Sequence, residues 1–362
     1  MITNIDIHNF RCFQHTTGKD FSRINLLGGK NNAGKTALLE ALLLLNEPNT
    51  QTIFTLLNIR GIGVDFIKSI PQRTWDNLFY NQLKTNKITI QEISQDISIE
   101  LYCDDTVEDF MALMDKDKQD DELLAFSESL STNNTLKSVL HINTLKENQK
   151  VNAPIFVAAS NGLAAPKGIK YHFQSTNLIP ANSRASSERL ATLFDTSKLA
   201  GNSDILLTAF QLIDDNIEKV ETLSIGKPAI YVKRKGENSV PLTLFGDAMN
   251  KVADFILRII NNKNSVILID EIENGIHHTN QEKLWEMLFK LAQAFDVQVF
   301  ATTHSAEMIT AFKNVGLKEE FSADARYFEM ARHEISNEIT INKIPLTAVE
   351  NKLFYNKPLR GE

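Results

Sequence analysis

The chain has 362 residues, of which 43% are hydrophobic, and a formal net charge of −7 from 38 basic and 45 acidic residues. This length suits one large α/β domain with an insertion or two smaller domains, and the acidic balance disfavours a protein that mainly coats nucleic acid. The sequence has no apolar run long enough to cross a membrane and no secretory signal at its N-terminus, while Cys12 and Cys103 as the only cysteines indicate a reducing, cytoplasmic compartment without a Cys-based zinc site.

The first elements of the chain lead into a phosphate-binding motif. Ile2 to Phe10 alternates apolar and polar residues like a strand, a turn follows at Arg11, and Ile24 to Leu27 returns as a second strand. The next residues, Gly29-Lys30-Asn31-Asn32-Ala33-Gly34-Lys35-Thr36, fill every fixed position of the G-x-x-x-x-G-K-[ST] pattern. Ala37 to Leu45 then predicts a helix that is apolar almost all round, so we expect it to be deeply buried.

The residue types of this loop each have a chemical purpose. Its glycines allow the backbone to curl until its N–H groups face phosphate oxygens, and the following helix adds its positive N-terminal end. Lys35 can reach the β- and γ-phosphates, and Thr36 can ligate Mg²⁺, so we expect ATP and Mg²⁺ as cofactors. The predicted nucleotide contacts of the loop are Gly29, Asn31, Asn32, Ala33, Gly34, Lys35, Thr36 and Ala37.

Residues 51–228 carry no motif of comparable strength. We interpret them as an inserted lobe, mostly helical with some strands, that separates the two halves of a core formed by residues 1–50 and 229–362. Ile53 to Ile70 predicts an interrupted helix, Ile88 to Tyr102 predicts strands, and Ile205 to Leu223 predicts a helix. The acidic stretch from Asp104 to Glu122 favours a solvated surface insertion with one amphipathic helix over a metal site.

A short segment in the second half of the chain offers contacts for an anion. Ala229 to Lys235 predicts a strand, and Lys233-Arg234-Lys235-Gly236 predicts a basic hairpin tip. In Pro241 to Met249, the Gly246-Asp247 pair stands at the start of a helix, where backbone N–H groups can bind an anion. The sequence identifies no phosphate for this turn within one chain, so the turn fits a site that is completed on a second subunit.

The stretch from Ser265 to Glu271 predicts a buried parallel strand that ends in two carboxylates. Such a strand delivers its last residues to the edge where open α/β sheets bind ligands. Asp270 would hold Mg²⁺ opposite Thr36, and Glu271 would act as general base on the attacking water.

A second apolar strand, Val297 to Thr302, is followed by His304. A lone histidine is more often structural than functional. This one comes one strand and one helix after Asp270 and Glu271, and that position favours a contact with the γ-phosphate or with the attacking water.

The order of these elements resembles the ABC-type ATPases of the RecF/SMC/OLD branch. More narrowly, it resembles the stand-alone bacterial "AAA family ATPases" related to the ATPase half of the OLD nucleases. The matching stretches are Ile5-x-x-x-Asn9-Phe10-Arg11, the Asn-rich phosphate loop with Lys35 to Ala41, Leu268 to His278, and Thr302 to Ser305. The resemblance implies a P-loop ABC-type ATPase head of the α/β class, with a mixed-sheet core and an inserted helical or α+β lobe.

The resemblance also implies roles for single residues. Arg11 would lie near the nucleotide, His304 would be the switch histidine, and Pro241 to Met249, here called the signature segment, would act on the nucleotide of a partner subunit. Glu273 to His278 would be the D-loop at the dimer seam. Since adjacent side chains diverge on a helix or strand, His277-His278 favours a structural or dimer-contact role over a shared metal.

In such ATPases two head-to-tail subunits enclose two ATP molecules, so Thr243, Gly246 and Asp247 of the signature segment would contact ATP across the interface. Relatives usually carry a serine and a glycine at the positions that Leu244 and Ala248 occupy here. This departure predicts slow turnover rather than loss of ATP binding.

The leading functional hypothesis is an ATP-driven switch that controls a separate effector. It would be a homodimer or higher oligomer with ATP at the interface, and it would regulate a nuclease or toxin, encoded nearby, in bacterial defence against phage. About sixty residues follow His304, too few for a further enzyme domain, and they contain no TOPRIM-like acidic cluster.

The alternative is a RecF-like repair ATPase that binds duplex DNA through basic residues such as Lys227 and Lys233 to Lys235. A transporter's nucleotide-binding subunit fits less well because the two nucleotide motifs are so far apart in the sequence, and no membrane partner is expected. A P-loop kinase or GTPase leaves the Thr-His-Ser strand end unexplained.

Overall fold

The computed structural model describes residues 1–104, 106–108, 110–111, 136–147, 149–152, 154–165 and 177–349. The strands are β1 (Ile5–Phe10), β2 (Phe13–Gly18), β3 (Ile24–Gly29), β4 (Ile88–Glu92), β5 (Ile97–Asp104), β6 (Lys137–Lys146), β7 (Gln149–Asn152), β8 (Ile155–Ala159), β9 (Gly162–Ala164), β10 (Leu178–Ile179), β11 (Ile217–Ile225), β12 (Lys227–Arg234), β13 (Val240–Pro241), β14 (Val266–Ile269), β15 (Gln298–Thr302), β16 (Ala325–Arg332) and β17 (Ile339–Ile344). The helices are α1 (Lys35–Asn46), α2 (Thr50–Ile59), α3 (Val64–Ser69), α4 (Ser187–Leu199), α5 (Ser203–Ile213), α6 (Gly246–Asn261), α7 (Gln281–Phe295) and α8 (Ala306–Gly316). Most of the acidic stretch predicted from Asp104 to Glu122 lies outside the described residues.

A mostly parallel sheet carries the phosphate loop. Its strand order is β10-β14-β15-β3-β16-β17, and every neighbouring pair is parallel except the antiparallel pair at the β17 edge. β14 and β15 are buried along their whole length, as expected for strands covered on both faces. Because β3, β14 and β15 are parallel neighbours, their carboxyl ends meet at one edge of the sheet.

A second, antiparallel sheet has the order β2-β1-β4-β5-β6-β8-β9, with β7 added to β6. β1 therefore pairs with β2 and β4. It does not pair with β3, as expected if Ile24 to Leu27 returned directly beside the first strand. β2 was missed because Phe13 to Gly18 contains mostly polar residues, so its period-two pattern is faint. β4 and β5 confirm the strands predicted for Ile88 to Tyr102.

In the described residues between 51 and 165, β4 to β9 extend the sheet that β1 and β2 begin, so this part of the predicted insertion contains more strands than we expected. β4 alternates between buried and half-buried residues, as expected for a strand with one face on the core. β8 is instead buried along its whole length, because its two faces pack into different hydrophobic clusters. The predicted division at residues 50 and 229 stays a prediction. Within the structure, hydrogen bonds between β1 and β4 run across the first of these boundaries.

The helix predicted from Ile205 to Leu223 is also wrong in its second half. α5 ends at Ile213, Asp214 forms a turn in which its carbonyl accepts from Ile217 N at 3.0 Å, and Ile217–Ile225 is β11. β11 pairs with β12, and β12 with β13, in a small third sheet. The prediction carried the helix across Asp214-Asp215-Asn216, polar residues that favour a turn, because α5 and β11 are adjacent and both contain apolar residues.

Two hydrophobic cores lie on opposite faces of the parallel sheet. Ile267 and Ile269 of β14 pack into the core formed with α4 to α8, whereas Val266 and Leu268 pack into the core formed with α1 and the antiparallel sheet. α1 is therefore enclosed between two sheets, which explains why its apolar residues are buried on every side. This enclosure holds the start of α1 rigidly against the end of β3.

Candidate nucleotide-binding site

The loop between β3 and α1 has a backbone that requires glycine at both ends of the motif. Gly29 has φ of 136°, and a Cβ there would collide with the carbonyl oxygen of Met330. Gly34 has φ of 89°, and a Cβ there would lie 3.1 Å from Cys12 Sγ. Asn32 adopts φ of 62°, which asparagine tolerates better than most residues. The curled loop predicted from the sequence is therefore present.

The first turn of α1 is suited to an anion. Gly34 precedes the helix and offers no side-chain cap, and no acidic residue lies in the first turn. The N–H groups of Lys35, Thr36 and Ala37 belong to the turn that has no acceptors within its own helix. Together with the helix dipole they form a site for a negatively charged group.

Lys35 is almost fully buried, and its ammonium group folds back over the loop. Its Nζ donates hydrogen bonds to the carbonyl oxygens of Gly29 at 2.7 Å and Lys30 at 2.8 Å. Burial lowers the pKa of Lys35 to about 8, although the carboxylates of Asp270, Glu273 and Glu271 act in the opposite direction. A phosphate would supply the negative charge that this desolvated cation lacks.

Asp270 lies at the carboxyl end of β14 and faces the phosphate loop. Thr36 Oγ1 donates to its two carboxylate oxygens at 3.2 and 3.1 Å, and Thr302 Oγ1 donates to Oδ1 at 2.6 Å. Hydroxyl and carboxylate oxygens are the hard donors that Mg²⁺ prefers, and it usually takes only one or two carboxylates from the protein. The side chains present thus fit a magnesium ion between Thr36 and Asp270.

Glu271 is held in a defined orientation by its neighbours. Its backbone has φ of 49°, and its N–H donates to Thr302 Oγ1 at 2.8 Å. Asn274 Nδ2 donates to Glu271 Oε2 at 2.6 Å, and Glu271 Oε1 lies 3.9 Å from His304 Nε2. Thr302 Oγ1 therefore links the carboxylate of Asp270 to the backbone of Glu271, a link that sequence reasoning did not identify.

His304 follows β15 and lies beside the carboxylates of Glu271 and Glu273. Its backbone N–H donates to Glu273 Oε1 at 2.6 Å, while Glu273 Oε2 is buried and has no hydrogen-bond partner in the described part of the chain. Burial, and then the positive charge of Lys35, lower the pKa of His304. The imidazole is consequently neutral at pH 7 and can either donate or accept one hydrogen bond.

These groups open into a cleft of about 640 Å³, here called the nucleotide cleft. Of the predicted site residues, the cleft is lined by Arg11, Asn32, Gly34, Lys35, Thr36, Ala37 and His304. Asn31 is exposed on the loop and Ala33 is buried beneath it. The lining residues that sequence reasoning did not identify are Cys12, Arg60, Asn77, Phe79, Asn81, Gln82 and Arg332.

Arg11 reaches the cleft with most of its donors already engaged. Its Nε lies 2.6 Å from the buried carboxylate of Glu40, and the same carboxylate pairs with Arg60 at 2.8 Å. The carbonyl oxygens of Asn77 and Leu56 accept its remaining hydrogen bonds at 2.8 and 3.2 Å. Burial lowers the pKa of Arg11, and Glu40 opposes this effect. Arg11 therefore fixes the wall of the cleft between α1 and α2.

The signature segment does not line the nucleotide cleft of its own chain. Thr243 is exposed, and Leu244 is 72% exposed. Gly246 begins α6 with φ of 86° and would have nothing within 4 Å of an added Cβ. Asp247 is exposed and pairs with Arg184 at 2.9 Å. A single chain thus brings Asp270, Glu271 and the phosphate loop together. It leaves the predicted contact residues Thr243, Gly246 and Asp247 away from them.

The basic stretch near β12 is balanced by acidic partners. Lys227 pairs with Glu188 at 3.1 Å, and Lys233 pairs with Glu218 at 3.2 Å. Arg234 pairs with Asp214 at 2.6 Å. Because these three positive charges each have a nearby negative one, this surface attracts a polyanion less strongly than the sequence suggests.

Comparisons with known proteins agree with this geometry. The chain is 24% identical over 357 residues to an "ATP/GTP phosphatase" of Helicobacter pylori, a similarity that covers 91% of this chain and 92% of that protein. Over 71 residues, 20% of each chain, it is 31% identical to the "DNA replication and repair protein RecF" of Nitrosococcus oceani. No helix in the described ranges is both long and apolar enough to cross a bilayer.

Solved structures of SMC heads share the fold. An SMC head bound to the C-winged helix domain of ScpA superposes with a TM-score of 0.53 at 10% identity, covering 96% of this chain and 99% of that one. An SMC head with an extended coiled coil, bound to the C-terminal domain of ScpA derived from Pyrococcus furiosus, gives 0.51 at 8% identity, with 99% of both chains covered. The predicted P-loop ABC-type ATPase fold is thereby confirmed.

A family model matches residues 24–310, which include the phosphate loop, Asp270, Glu271 and His304. The match extends over well more than half of the chain. The chain belongs to the family described as "AAA domain, putative AbiEii toxin, Type IV TA system".

Proposed function

We propose that this protein is a Mg²⁺-dependent ATPase of the SMC/RecF ABC type that works as a switch. The observation that carries the proposal is the hydrogen-bonded group at the edge of the parallel sheet. There Thr36 and Thr302 both donate to Asp270, and Glu271 stands beside them, 3.9 Å from His304. A hydroxyl, a carboxylate and a second, separately oriented carboxylate are the groups that metal-assisted phosphoryl transfer to water requires.

In this proposal each residue has a distinct task. When bound, Mg²⁺-ATP supplies the reactive phosphoanhydride and the positive charge that neutralises it. Lys35 leaves the loop carbonyls to contact the β- and γ-phosphates, while Thr36 and Asp270 hold the metal. Glu271, oriented by Asn274 and Thr302, accepts the proton of the attacking water. His304 is neutral and contacts the γ-phosphate or the water.

We further propose that two chains form a head-to-tail dimer with ATP at their interface. The support is the exposure of the signature segment, whose Gly246 turn presents backbone N–H groups that meet no anion in the described chain. Thr243, Gly246 and Asp247 of one chain would then complete the cleft of the other. Leu244 and Ala248, at positions where relatives carry serine and glycine, would make the turnover slow.

The switch would control a separate effector. The family description names a toxin and a toxin–antitoxin system, and this supports the narrower hypothesis of an OLD-like ATPase that regulates a nuclease or toxin in defence against phage. The test is to assay the product of the adjacent gene with wild-type protein and with Glu271→Gln, which would hold the ATP-bound form. If the effector behaved identically with both forms, the regulatory role would be excluded.

A RecF-like role on duplex DNA is the second candidate, favoured by the short similarity to a RecF protein. The ion pairs of Lys227, Lys233 and Arg234 argue against it. Fluorescence anisotropy with a labelled DNA duplex distinguishes the RecF-like role from control of a separate effector. ATP-dependent binding that weakens steeply with salt would favour the RecF-like role, and no binding at low salt would exclude it.

The ATPase proposal itself is tested by phosphate release as a function of Mg²⁺ concentration. Asp270→Asn should raise the Mg²⁺ concentration needed for half-maximal release by at least about tenfold, because a neutral amide binds the ion more weakly. Asp296→Asn makes the same chemical change at an exposed helix end, where Asp296 pairs with Arg23, and should leave the requirement unchanged. Equal Mg²⁺ dependence in all three proteins would contradict the assignment of Asp270.

A further inference from the structure

Three side chains with metal-ligating atoms converge on the solvent face of the β1–β2 hairpin. Asp6 and His8 are two residues apart on β1, so they point to the same face of the strand. His15 of β2 stands directly opposite His8 in the register of the hairpin. The side chains of His8, His15 and Asp6 are 41%, 56% and 22% exposed, so the face is open to water.

The ligand atoms of this cluster lie close together. His8 Nε2 is 3.0 Å from Asp6 Oδ2, and His15 Nε2 is 2.9 Å from Asp6 Oδ1. The two imidazole rings stack with centroids 4.1 Å apart and an angle of 9° between their planes. All three ligand atoms fall within 4.8 Å of one another, and in the described part of the chain this is the trio of His, Cys, Asp or Glu side chains that meets this spacing.

We propose that Asp6, His8 and His15 bind a divalent transition-metal ion of the Zn²⁺ class. Two imidazoles and one carboxylate form a set of ligands that such ions favour, and three protein ligands leave a position for water. With metal–ligand bonds of about 2.0–2.1 Å, tetrahedral ligand atoms lie about 3.3 Å apart. His8 Nε2 and His15 Nε2 lie 3.0 and 2.9 Å from different oxygens of Asp6, and all three ligand atoms lie within 4.8 Å of one another, so modest rotations of these side chains would admit the ion.

The surroundings favour a cation over a plain ion pair. A divalent ion can bind both imidazoles and the carboxylate at once, so it uses all three ligand atoms of the cluster. The cross-strand neighbours of this face are uncharged: Thr17 and Gln91 lie opposite Asp6, and Thr89 lies opposite His8. No cation on these neighbouring positions competes for the carboxylate.

The site would fasten the hairpin next to the nucleotide cleft. β1 ends at Phe10, and the turn that follows carries Arg11 and Cys12 into the lining of the cleft. A metal bound by both strands would therefore brace the segment that holds these two residues. Since metal binds the folded hairpin in preference to the unfolded chain, saturating metal should raise the thermal unfolding temperature.

The test uses the untagged full-length chain, freed of metal with a chelator and kept in excess Mg²⁺. Calorimetry with Zn²⁺ and visible absorption with Co²⁺ should show one ion per chain. His8→Gln and His15→Gln should each weaken Zn²⁺ affinity at least tenfold and remove the Co²⁺ spectrum. His333→Gln alters an exposed histidine of another turn, and it should bind like wild type. Asp270→Asn should also bind like wild type, which separates this site from the phosphate-loop metal.

Three results would overturn the proposal. They are absence of Zn²⁺ binding up to millimolar concentration, unchanged affinity in His8→Gln and His15→Gln, or one ion per two chains, which would mean ligands shared between copies. Because the three side chains are on the open face of the sheet, the variants should fold. In the presence of chelator, the circular dichroism spectrum and the unfolding temperature of each variant should match wild type. Loss of metal binding would then result from loss of the ligand and not from misfolding.

Discussion

The nucleotide cleft and the signature segment differ in how completely one chain satisfies their polar groups. In the cleft, Asp270 accepts hydrogen bonds from two threonines, Glu271 is bonded to Asn274, and Lys35 donates to two carbonyl groups. In the signature segment, Gly246 has open space around it and Leu244 is mostly exposed. The first region is preorganised within one chain, whereas the second is an exposed surface.

This contrast indicates where the chemistry and where the control of the proposed ATPase lie. Preorganised carboxylates lower the cost of arranging charge during the reaction. An exposed helix start can contribute only after a second surface approaches it. Variants of the two regions should therefore fail in different ways, and the following predictions run from the largest expected effect to the smallest.

Glu271→Gln preserves the shape of the side chain but removes the proton acceptor. We expect ATP hydrolysis to fall by roughly 10²–10⁴-fold while ATP binding is retained, and light scattering should show a larger particle with ATP than with ADP. Glu282→Gln, the same change at an exposed position of α7 where Glu282 bonds Asn314, should hydrolyse ATP normally. Wild-type turnover by Glu271→Gln would place the base elsewhere, with His304 the first residue to examine.

Lys35→Ala removes the buried cation of the loop. Losing such a charge-assisted contact costs about 2–5 kcal/mol, or roughly 30- to 5,000-fold in ATP affinity, measurable by calorimetry. Lys30→Ala removes an exposed lysine of the same loop and should change the affinity by less than about threefold. Wild-type affinity in Lys35→Ala would refute the assignment of this residue.

Mixing two inactive variants tests the sharing of the site. Lys35→Ala lacks the loop cation, and Gly246→Arg places bulk at the exposed start of α6. A mixed dimer has one site with both lesions and one with neither, so an equal mixture should recover about a quarter of wild-type ATPase activity if the two sites act independently. Gly246→Ala, which adds backbone strain without bulk, should retain most activity as the homodimer. Absence of rescue would leave Gly246 as an ordinary helix start.

The lowered pKa of Lys35 predicts a pH dependence of ATP binding. ATP requires the protonated amine, and bound phosphate raises the pKa above its free value of about 8. Affinity should therefore be nearly constant below pH 7 and fall by up to about tenfold per pH unit above pH 8. The arginine of Lys35→Arg stays charged throughout this range, so the affinity of this variant for ATP should not vary with pH. Calorimetry across this range decides, and a parallel decline in Lys35→Arg would assign the titration to another group.

Substitutions at Leu38 and Leu244 should change the free energy of unfolding by very different amounts. Leu38→Ala opens a cavity in a fully buried helix and should lower the free energy of unfolding by about 2–5 kcal/mol. Leu244→Ser should change it by less than about 0.5 kcal/mol, since the side chain is exposed. Because it supplies the serine that relatives carry at this position, it should also raise the rate of ATP turnover, measured by phosphate release. Denaturant unfolding measures the first effect, and a large destabilisation by Leu244→Ser would mean that this leucine packs within its own chain.

The parts of the fold that the sequence predicts are those with continuous patterns. α1, β14 and β15 are uninterrupted apolar runs next to recognisable motifs, so their type and their polar ends could be identified. β2 has few apolar residues, and it is a strand because β1 pairs with it. The boundary between α5 and β11 lies at the Asp214-Asp215-Asn216 turn, a polar signal that the prediction of one continuous helix overlooked.

The sequence predicted the motif residues of the candidate site but not the residues that orient them. Thr302 contacts Asp270 because β15 lies beside β14, and strand order is not encoded in local periodicity. Asn274 contacts Glu271 from three residues further along the chain, in a loop whose conformation the sequence pattern does not specify. Arg11 was predicted near the nucleotide from a resemblance, whereas its partnership with buried Glu40 became visible only in three dimensions.

The position of β3 has a consequence for how the protein is made. This strand lies between β15 and β16, so residues 24–29 acquire both of their hydrogen-bonding neighbours only from residues 298–332. Closing so long a loop carries a large entropic cost and makes for slow, non-local folding. During synthesis the phosphate loop precedes both of its neighbouring strands, so it remains unsupported until β15 and β16 have left the ribosome. Nucleotide can therefore stabilise only a chain that includes these two strands, and a product truncated before them has no competent loop.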